Sequence, residues 1–318
     1  MNIPVFDLHC DTALALLGKD MCSIGSLRKN SGHIDLERAK TLSGYAQCFA
    51  CFTTSLERER PGNISVATWF EREMVAILNQ IEKNSDWIRQ AYTAKEVREN
   101  LQQGIMSGIL TIEGPAGFGF DPELLQDLYN VGFRITSLGW NEQNVLTGSN
   151  VTGGGLTDLG REYVKEAQRT GMIVDVSHIS DEGFWDIMKV TQAPIVATHS
   201  NSRFVCNHSR NLTDDMFRAI CETGGVAGFN QYAAFVGENP DLDTACDHFI
   251  HWLELDPDGD HIALGGDLDG CGVLPAGFEG VQSYPALAQR LLERGVNEQL
   301  LHKIFWENAL GVMEKCCT

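Results

Sequence analysis

The chain has 318 residues, 43% of them hydrophobic and 21% charged, the balance of a soluble globular enzyme. A formal net charge of −19 argues against nucleic acid or an anionic membrane as a partner, because the summed field repels phosphates. No apolar run is long enough to span a bilayer, and neither a secretory signal nor a lipid-anchor tail is legible, so a cytoplasmic enzyme is expected.

The first predicted element is a strand over 5–9, inside the stretch VFDLHCDT. On a regular strand Asp7, His9 and Asp11 alternate to one face. Polar groups crowded at the end of a buried strand need partners. A metal ion is one such partner; a solvated strand end with a satisfied histidine is the plain alternative. The next strand, 45–54, carries Cys48 and Cys51 in a C-x-x-C spacing, but no second pair follows at zinc-finger spacing. Most of the ten cysteines are therefore expected as free thiols, buried or on the surface, with Cys316 and Cys317 exposed and oxidisable.

Helical periodicity over 65–91 leads to a strand over 105–114 that ends at Glu113, a helix over 121–131 and a strand over 134–140. The triplet Gly153–Gly155 follows a loop rich in Asn, Thr and Ser, and reads as a flexible loop, not a phosphate cradle. A helix over 158–170 precedes a strand over 172–178 ending in His178. Ser180 and Thr213 precede acidic first turns and predict capped helices over 180–190 and 213–223. Between them a strand over 194–200 brings His199. Strands over 225–232 and 261–267 follow, the last ending in Asp267, with helices over 243–254, 283–293 and 297–314. Eight strands mostly followed by helices predict a (β/α)8 TIM barrel, a single domain over 1–318. An open sheet is the alternative, but no G-x-G-x-x-G follows the first strand.

In a barrel, the carboxyl ends of all strands lie on one face. His9, Asp11, Glu113, His178, His199 and Asp267 would converge there, although they are scattered along the sequence. Imidazole and carboxylate ligands suit zinc, and this set exceeds what one tetrahedral catalytic ion needs. Two ions sharing a bridging carboxylate would use it, lowering the pKa of a water and clamping developing negative charge. The chemistry expected is metal-assisted hydrolysis.

With these residues in place, the chain resembles the membrane (renal) dipeptidase family, the M19 metallopeptidases of the amidohydrolase superfamily. The resemblance is carried by DLHCDT, TIEGP, DVSH, HSNSRFVCNHSRN and LGGDLDG, and covers nearly the whole chain. It implies His9 and Asp11 as ligands of one zinc, His178 and His199 as ligands of the other, and Glu113 as the bridge. It implies Asp267 as the general acid/base, and Arg210 as the residue that pairs with the substrate's C-terminal carboxylate. Tyr232 would line the substrate wall. The implied substrate is a free dipeptide, with a D-residue tolerated at the C-terminal position; a homodimer is implied by family analogy alone.

One departure stands out. After the fourth barrel strand, well-known family members carry a histidine thought to stabilise the oxyanion, and Trp140 occupies that place here. Either Trp140 shapes a different pocket, or Asn141 or the metal takes the oxyanion. The alternatives to a zinc dipeptidase are a related binuclear amidohydrolase acting on another small amide or lactone, and a non-catalytic metal-binding barrel. A spare base at Asp267 speaks against the last.

Overall fold

The computed structural model describes residues 3–18, 24–59 and 62–317. Its strands are β1 (Val5–Cys10), β2 (Tyr45–Phe52), β3 (Ile88–Gln90), β4 (Met106–Glu113), β5 (Phe133–Ser137), β6 (Ile173–Asp175), β7 (Ile195–Ala197), β8 (Val226–Phe229) and β9 (Ile262–Leu264). All pairings are parallel, and contacts of β2 with β4 and of β1 with β9 close the sheet into a (β/α)8 barrel. The short β3 stands outside the eight, pairing Ile88–Gln90 with Met106–Gly108 at the start of β4. The eight predicted barrel strands are all present, and β3 is the addition. The helix expected over 65–91 stops at Lys83, because Asn84 leaves helical geometry and the chain turns into β3.

Each barrel strand gives one or two apolar side chains to the interior, among them Phe6, Leu8, Cys48, Ile109, Ile135, Ile173, Val196, Val226 and Ala263. The helix Asn308–Cys316 plugs the amino-terminal end of the barrel, with Leu310 and Met313 packed on those residues. Asn308 fixes the plug by donating to the carbonyls of Gly259 (2.6 Å) and Ile262 (2.7 Å). The opposite strand faces, with Phe49, Leu110, Phe133 and Val174, pack against the surrounding helices. This is why parallel strands read as continuous apolar runs.

Both expected caps form. Ser180 accepts from the Gly183 N–H ahead of helix Asp181–Val190, and Thr213 from the Met216 N–H ahead of helix Asp214–Thr223. The cysteine expectations divide. Cys48 points into the barrel and Cys51 away from it, so the C-x-x-C spacing chelates nothing. Every cysteine among the described residues is free, while Cys22 lies outside them. Cys317 is not exposed: docking of the C-terminal helix leaves it 2% accessible, with its thiol against the Gly171 carbonyl, and Cys316 is half-buried. Among the described residues no helix is long and apolar enough to cross a membrane.

Candidate metal centre

The site begins with an irregularity in β1. Asp7 pairs with Gln47 of β2, but Cys10 pairs with Phe49, so β1 spends three steps where β2 spends two. That extra residue is a bulge, and it reverses the alternation of side chains. Phe6 and Leu8 face the interior, as do His9 and Asp11 beyond the bulge. Asp7 does not share their face, contrary to a regular strand. Its carboxylate accepts from the His9 N–H (3.0 Å), the Gly266 N–H (3.0 Å) and the Tyr284 hydroxyl, which pins the bulge to the segment after β9. The same local device recurs elsewhere. Asp175 accepts from Ser177 N–H (2.9 Å) after β6, and Asn230 from Tyr232 N–H (2.6 Å) after β8. In each case a side-chain oxygen caps an amide two residues on and turns the chain toward the barrel axis.

Glu113 ends β4 on the same face as Ile109. His178 and Asp267 sit in left-handed backbone, at φ 71° and 56°. Non-glycine residues rarely adopt that conformation, and such strain collects at functional sites. The six predicted side chains do come together. His178 Nε2 lies 2.9 Å from Glu113 Oε1, and His199 Nε2 lies 3.9 Å from the same oxygen. The other oxygen, Oε2, is 3.4 Å from His9 Nε2, which is 3.5 Å from Asp11 Oδ2 and 3.9 Å from Asp267 Oδ1. Ligand-capable atoms of His9, Glu113 and His199 all fall within 4.8 Å of one another, as do those of His9, Asp11 and Asp267.

The hydrogen-bond pattern favours a cation among these atoms. His178 Nδ1 faces Asn141 Oδ1 at 2.9 Å, an acceptor, so the ring proton belongs on Nδ1. Thr198 gives its hydroxyl proton to Asp175 Oδ2 (2.6 Å) and so accepts from His199 Nδ1 (2.7 Å). Both Nε2 atoms are thereby left as lone pairs, 2.9 Å apart, beside a carboxylate. Facing lone pairs repel unless a positive charge sits with them. His9 Nε2 and Asp11 Oδ1 are buried without a hydrogen-bond partner among the described residues, a costly state that a metal would relieve. A methyl group at Gly270 would overlap the Asp11 and Asp267 carboxylates, so the last glycine of LGGDLDG is demanded by close approach.

The buried carboxylates and imidazoles shift one another's titration. Burial, with Asp11 adding to it, raises Glu113 to about 8. Burial also raises Asp267 to about 6, the facing His9 acting against it. Burial alone would lower His9, but the Glu113 and Asp11 carboxylates outweigh it and hold the imidazole well above its ordinary value. His178 and His199 are pushed well below theirs by burial, then by the positive groups around them. Neutral imidazoles are the form that ligates metal.

A cleft of about 380 Å³ opens over the centre. Arg210 lines it, 5% accessible, with no acidic partner among the described residues. One amino group donates to Ser200 Oγ (3.4 Å), while Nε and Nη2 have no hydrogen-bond partner among the described residues. A surface ion pair is thus excluded for Arg210; two parallel donors wait for an anion. Trp140 stands edge-on to Phe52 with ring centroids 5.1 Å apart, and both line the cleft. Tyr232 lines it too, edge-on to Phe235 at 4.8 Å. Asn141 lines the cleft and is engaged with His178.

A sequence profile of the membrane dipeptidase family, peptidase family M19, matches residues 1–317. The chain belongs to the membrane dipeptidase family. It is therefore a metallopeptidase-type hydrolase. An uncharacterised dipeptidase of Schizosaccharomyces pombe is 35% identical over 68% of this chain, an alignment that spans 55% of the yeast protein's length. Among solved structures, a dipeptidase of family M19 superposes with a TM-score of 0.87 at 30% identity, covering 100% of this chain and 99% of its own. A metallopeptidase from Rhodobacter sphaeroides, liganded with a phosphinate mimic of the dipeptide L-Ala-D-Ala, gives the same TM-score of 0.87 at 28% identity, covering 99% of this chain and 100% of its own.

Sequence reasoning missed three residues that hold the membrane dipeptidase centre in shape, Asp175, Thr198 and Asn230, and put a fourth, Asp7, on the face of the ligands instead of behind them. Asn230 donates to Asp267 Oδ2 (3.0 Å) and to the His199 carbonyl (3.1 Å). A signal existed for Asp7 and Asp175, since a carboxylate inside an apolar strand must find donors. Nothing in the sequence marks Asn230 or Thr198 apart from their neighbours.

Proposed function

We propose that this membrane dipeptidase family member is a binuclear zinc dipeptidase, hydrolysing the peptide bond of free dipeptides and tolerating a D-residue at the C-terminal position. The observation that carries the reading is the division of Glu113: one carboxylate oxygen faces His178 and His199, and the other faces His9, which stands beside Asp11. His9, Asp11 and Glu113 would hold one ion, and Glu113, His178 and His199 the second. When bound, zinc supplies a hydroxide at neutral pH and draws charge from the scissile carbonyl.

The chain's own residues do the rest. Arg210 takes the substrate carboxylate with its Nε and Nη2 donors, which sets the peptide across the centre. Asp267 keeps Oδ2 on Asn230 and turns Oδ1 toward the centre, where it accepts the proton of the attacking water and hands it to the leaving amine. Trp140 and Phe52 wall the cleft and exclude water from it. The D-residue tolerance draws on the Rhodobacter relative, whose bound mimic is of L-Ala-D-Ala.

The test is hydrolysis of a panel of L-L and L-D dipeptides by the zinc-loaded protein, with and without a chelator. Chelator-sensitive cleavage of L-D dipeptides is expected. A protein that binds metal but cleaves no dipeptide would shift the assignment to another small amide or lactone.

A further inference from the structure

Arg210 stands on a segment that follows β7, and its backbone is held there by a neighbour two residues away. His208 Nδ1 accepts the Arg210 N–H at 3.1 Å. The same device acts at Asp7, Asp175 and Asn230, where a side-chain acceptor holds the amide two residues on. Those three acceptors are oxygens. Here the acceptor is an imidazole nitrogen, whose lone pair disappears on protonation. The rest of the segment is fixed by other bonds. Arg203 donates to the Asn211 carbonyl (2.8 Å) and the Ser209 carbonyl (3.3 Å), and forks onto Asp181 at 2.7 and 2.8 Å. The His208 N–H reaches the Cys206 carbonyl (2.8 Å), and the Asn211 N–H reaches the His208 carbonyl (3.0 Å).

The Phe235 ring touches both side chains. Its centroid lies 4.6 Å from that of the His208 imidazole and 5.3 Å from the Arg210 guanidinium carbon. The Asn201 and Asn211 amides donate to the Phe235 carbonyl at 3.2 and 2.9 Å, which anchors that residue. We propose that His208 is a positioning residue for Arg210, its Nδ1 lone pair setting the guanidinium where the substrate carboxylate binds. This rests on the dipeptidase reading above, and adds that carboxylate recognition weakens when His208 gains a proton. A charged imidazole would turn a donor toward the Arg210 amide and would stand beside two guanidinium groups. Partial burial lowers the His208 pKa, and Arg210 and Arg203 lower it further, so the loss falls below the ordinary value of about 6.5. The charged or titratable groups of its own segment are Arg203, paired with Asp181, together with Cys206 and Arg210. The opposite side presents the Phe235 ring, with Tyr232 edge-on to it.

The test follows, from about pH 7.5 to about pH 5, the kcat/KM ratio of L-Ala-D-Ala over its C-terminal amide in the zinc-loaded protein. The two substrates differ in the carboxylate, so the ratio reads the Arg210 contact. In His208→Asn an amide oxygen replaces Nδ1 as the acceptor and does not titrate, while the metal centre and Asp267 titrate as in the wild type. The wild-type ratio is expected to fall roughly threefold to tenfold further than that of His208→Asn, the scale of one hydrogen bond, and through KM. His208→Ala is expected to show the low ratio already at neutral pH. A wild-type ratio that stays flat, or that falls in parallel with His208→Asn, would overturn the inference while leaving the dipeptidase reading intact. So would a His208→Asn ratio as low at neutral pH as that of His208→Ala. Cleavage of no dipeptide would overturn both readings.

Discussion

Replacing Asp267 by asparagine separates its proposed chemistry from its place in the structure. The backbone there has φ 56°, a conformation asparagine accepts readily, so the turn after β9 is expected to survive. In the wild type Oδ2 receives the Asn230 amide at 3.0 Å and Oδ1 points toward His9 Nε2 at 3.9 Å. In Asp267→Asn the side-chain oxygen keeps the Asn230 bond, which leaves the amide NH2 facing the centre with no lone pair to take a proton. General acid–base catalysis contributes about 10²- to 10⁴-fold, so kcat is expected to fall by that factor, about 3–5 kcal/mol of barrier. Arg210 is untouched, so KM for L-Ala-D-Ala should stay within a few-fold. Steady-state kinetics alongside metal analysis by mass spectrometry reads both quantities. Full metal content with kcat within threefold of wild type would refute the role given to Asp267.

Arg210→Met is expected to cost roughly 10²- to 10³-fold in kcat/KM, mostly through KM, because it removes a buried cation from its anionic partner. It should also erase discrimination between a dipeptide and its C-terminal amide; discrimination preserved would contradict the assignment. Thr198→Val keeps volume but breaks the link from Asp175 to His199, and should weaken affinity for one metal by about 10- to 100-fold in chelator competition. Removing the metals makes stability depend on pH. Glu113 (raised to about 8) and His9 (also raised) bind protons more tightly in the folded protein. Their contribution is full below their unfolded pKa values and is lost as pH rises through the folded ones. His178 and His199, lowered, act oppositely, but only below about pH 6.5. Between about pH 6.5 and 8 the metal-free protein should therefore lose on the order of 2 kcal/mol, a melting-temperature drop of several degrees that zinc reverses. An apo Tm that climbs through this window would show the sign to be wrong.

The barrel was legible because its strands are buried on both faces and its helices carry local start signals. Ser180 and Thr213 cap as their sequence contexts imply. Helix Ala94–Gln102 has equally local signals, the Thr93–Glu96 capping box and a narrow apolar stripe of Ala94, Val97 and Leu101, but its remaining positions are polar and the sequence reading passed over it. The six centre residues were legible for a topological reason, since a barrel gathers all strand ends on one face. What stayed hidden depends on register and on partners distant in sequence. The bulge that separates Asp7 from His9 exists because β1 and β2 advance unequally, which neither strand's sequence records. Cys317 looked exposed because terminal residues usually are; the docking of Asn308–Cys316 beneath the barrel is a tertiary fact.

The most direct test is a crystal structure of the zinc-loaded protein with a phosphinate analogue of L-Ala-D-Ala, with data collected at the zinc absorption edge. The account predicts a pair of anomalous peaks, one on each oxygen of Glu113, flanked by His9 and Asp11 on one side and by His178 and His199 on the other. It also predicts the ligand carboxylate on Nε and Nη2 of Arg210. A lone peak without Glu113 as a bridge, or a ligand carboxylate bound away from Arg210, would contradict it.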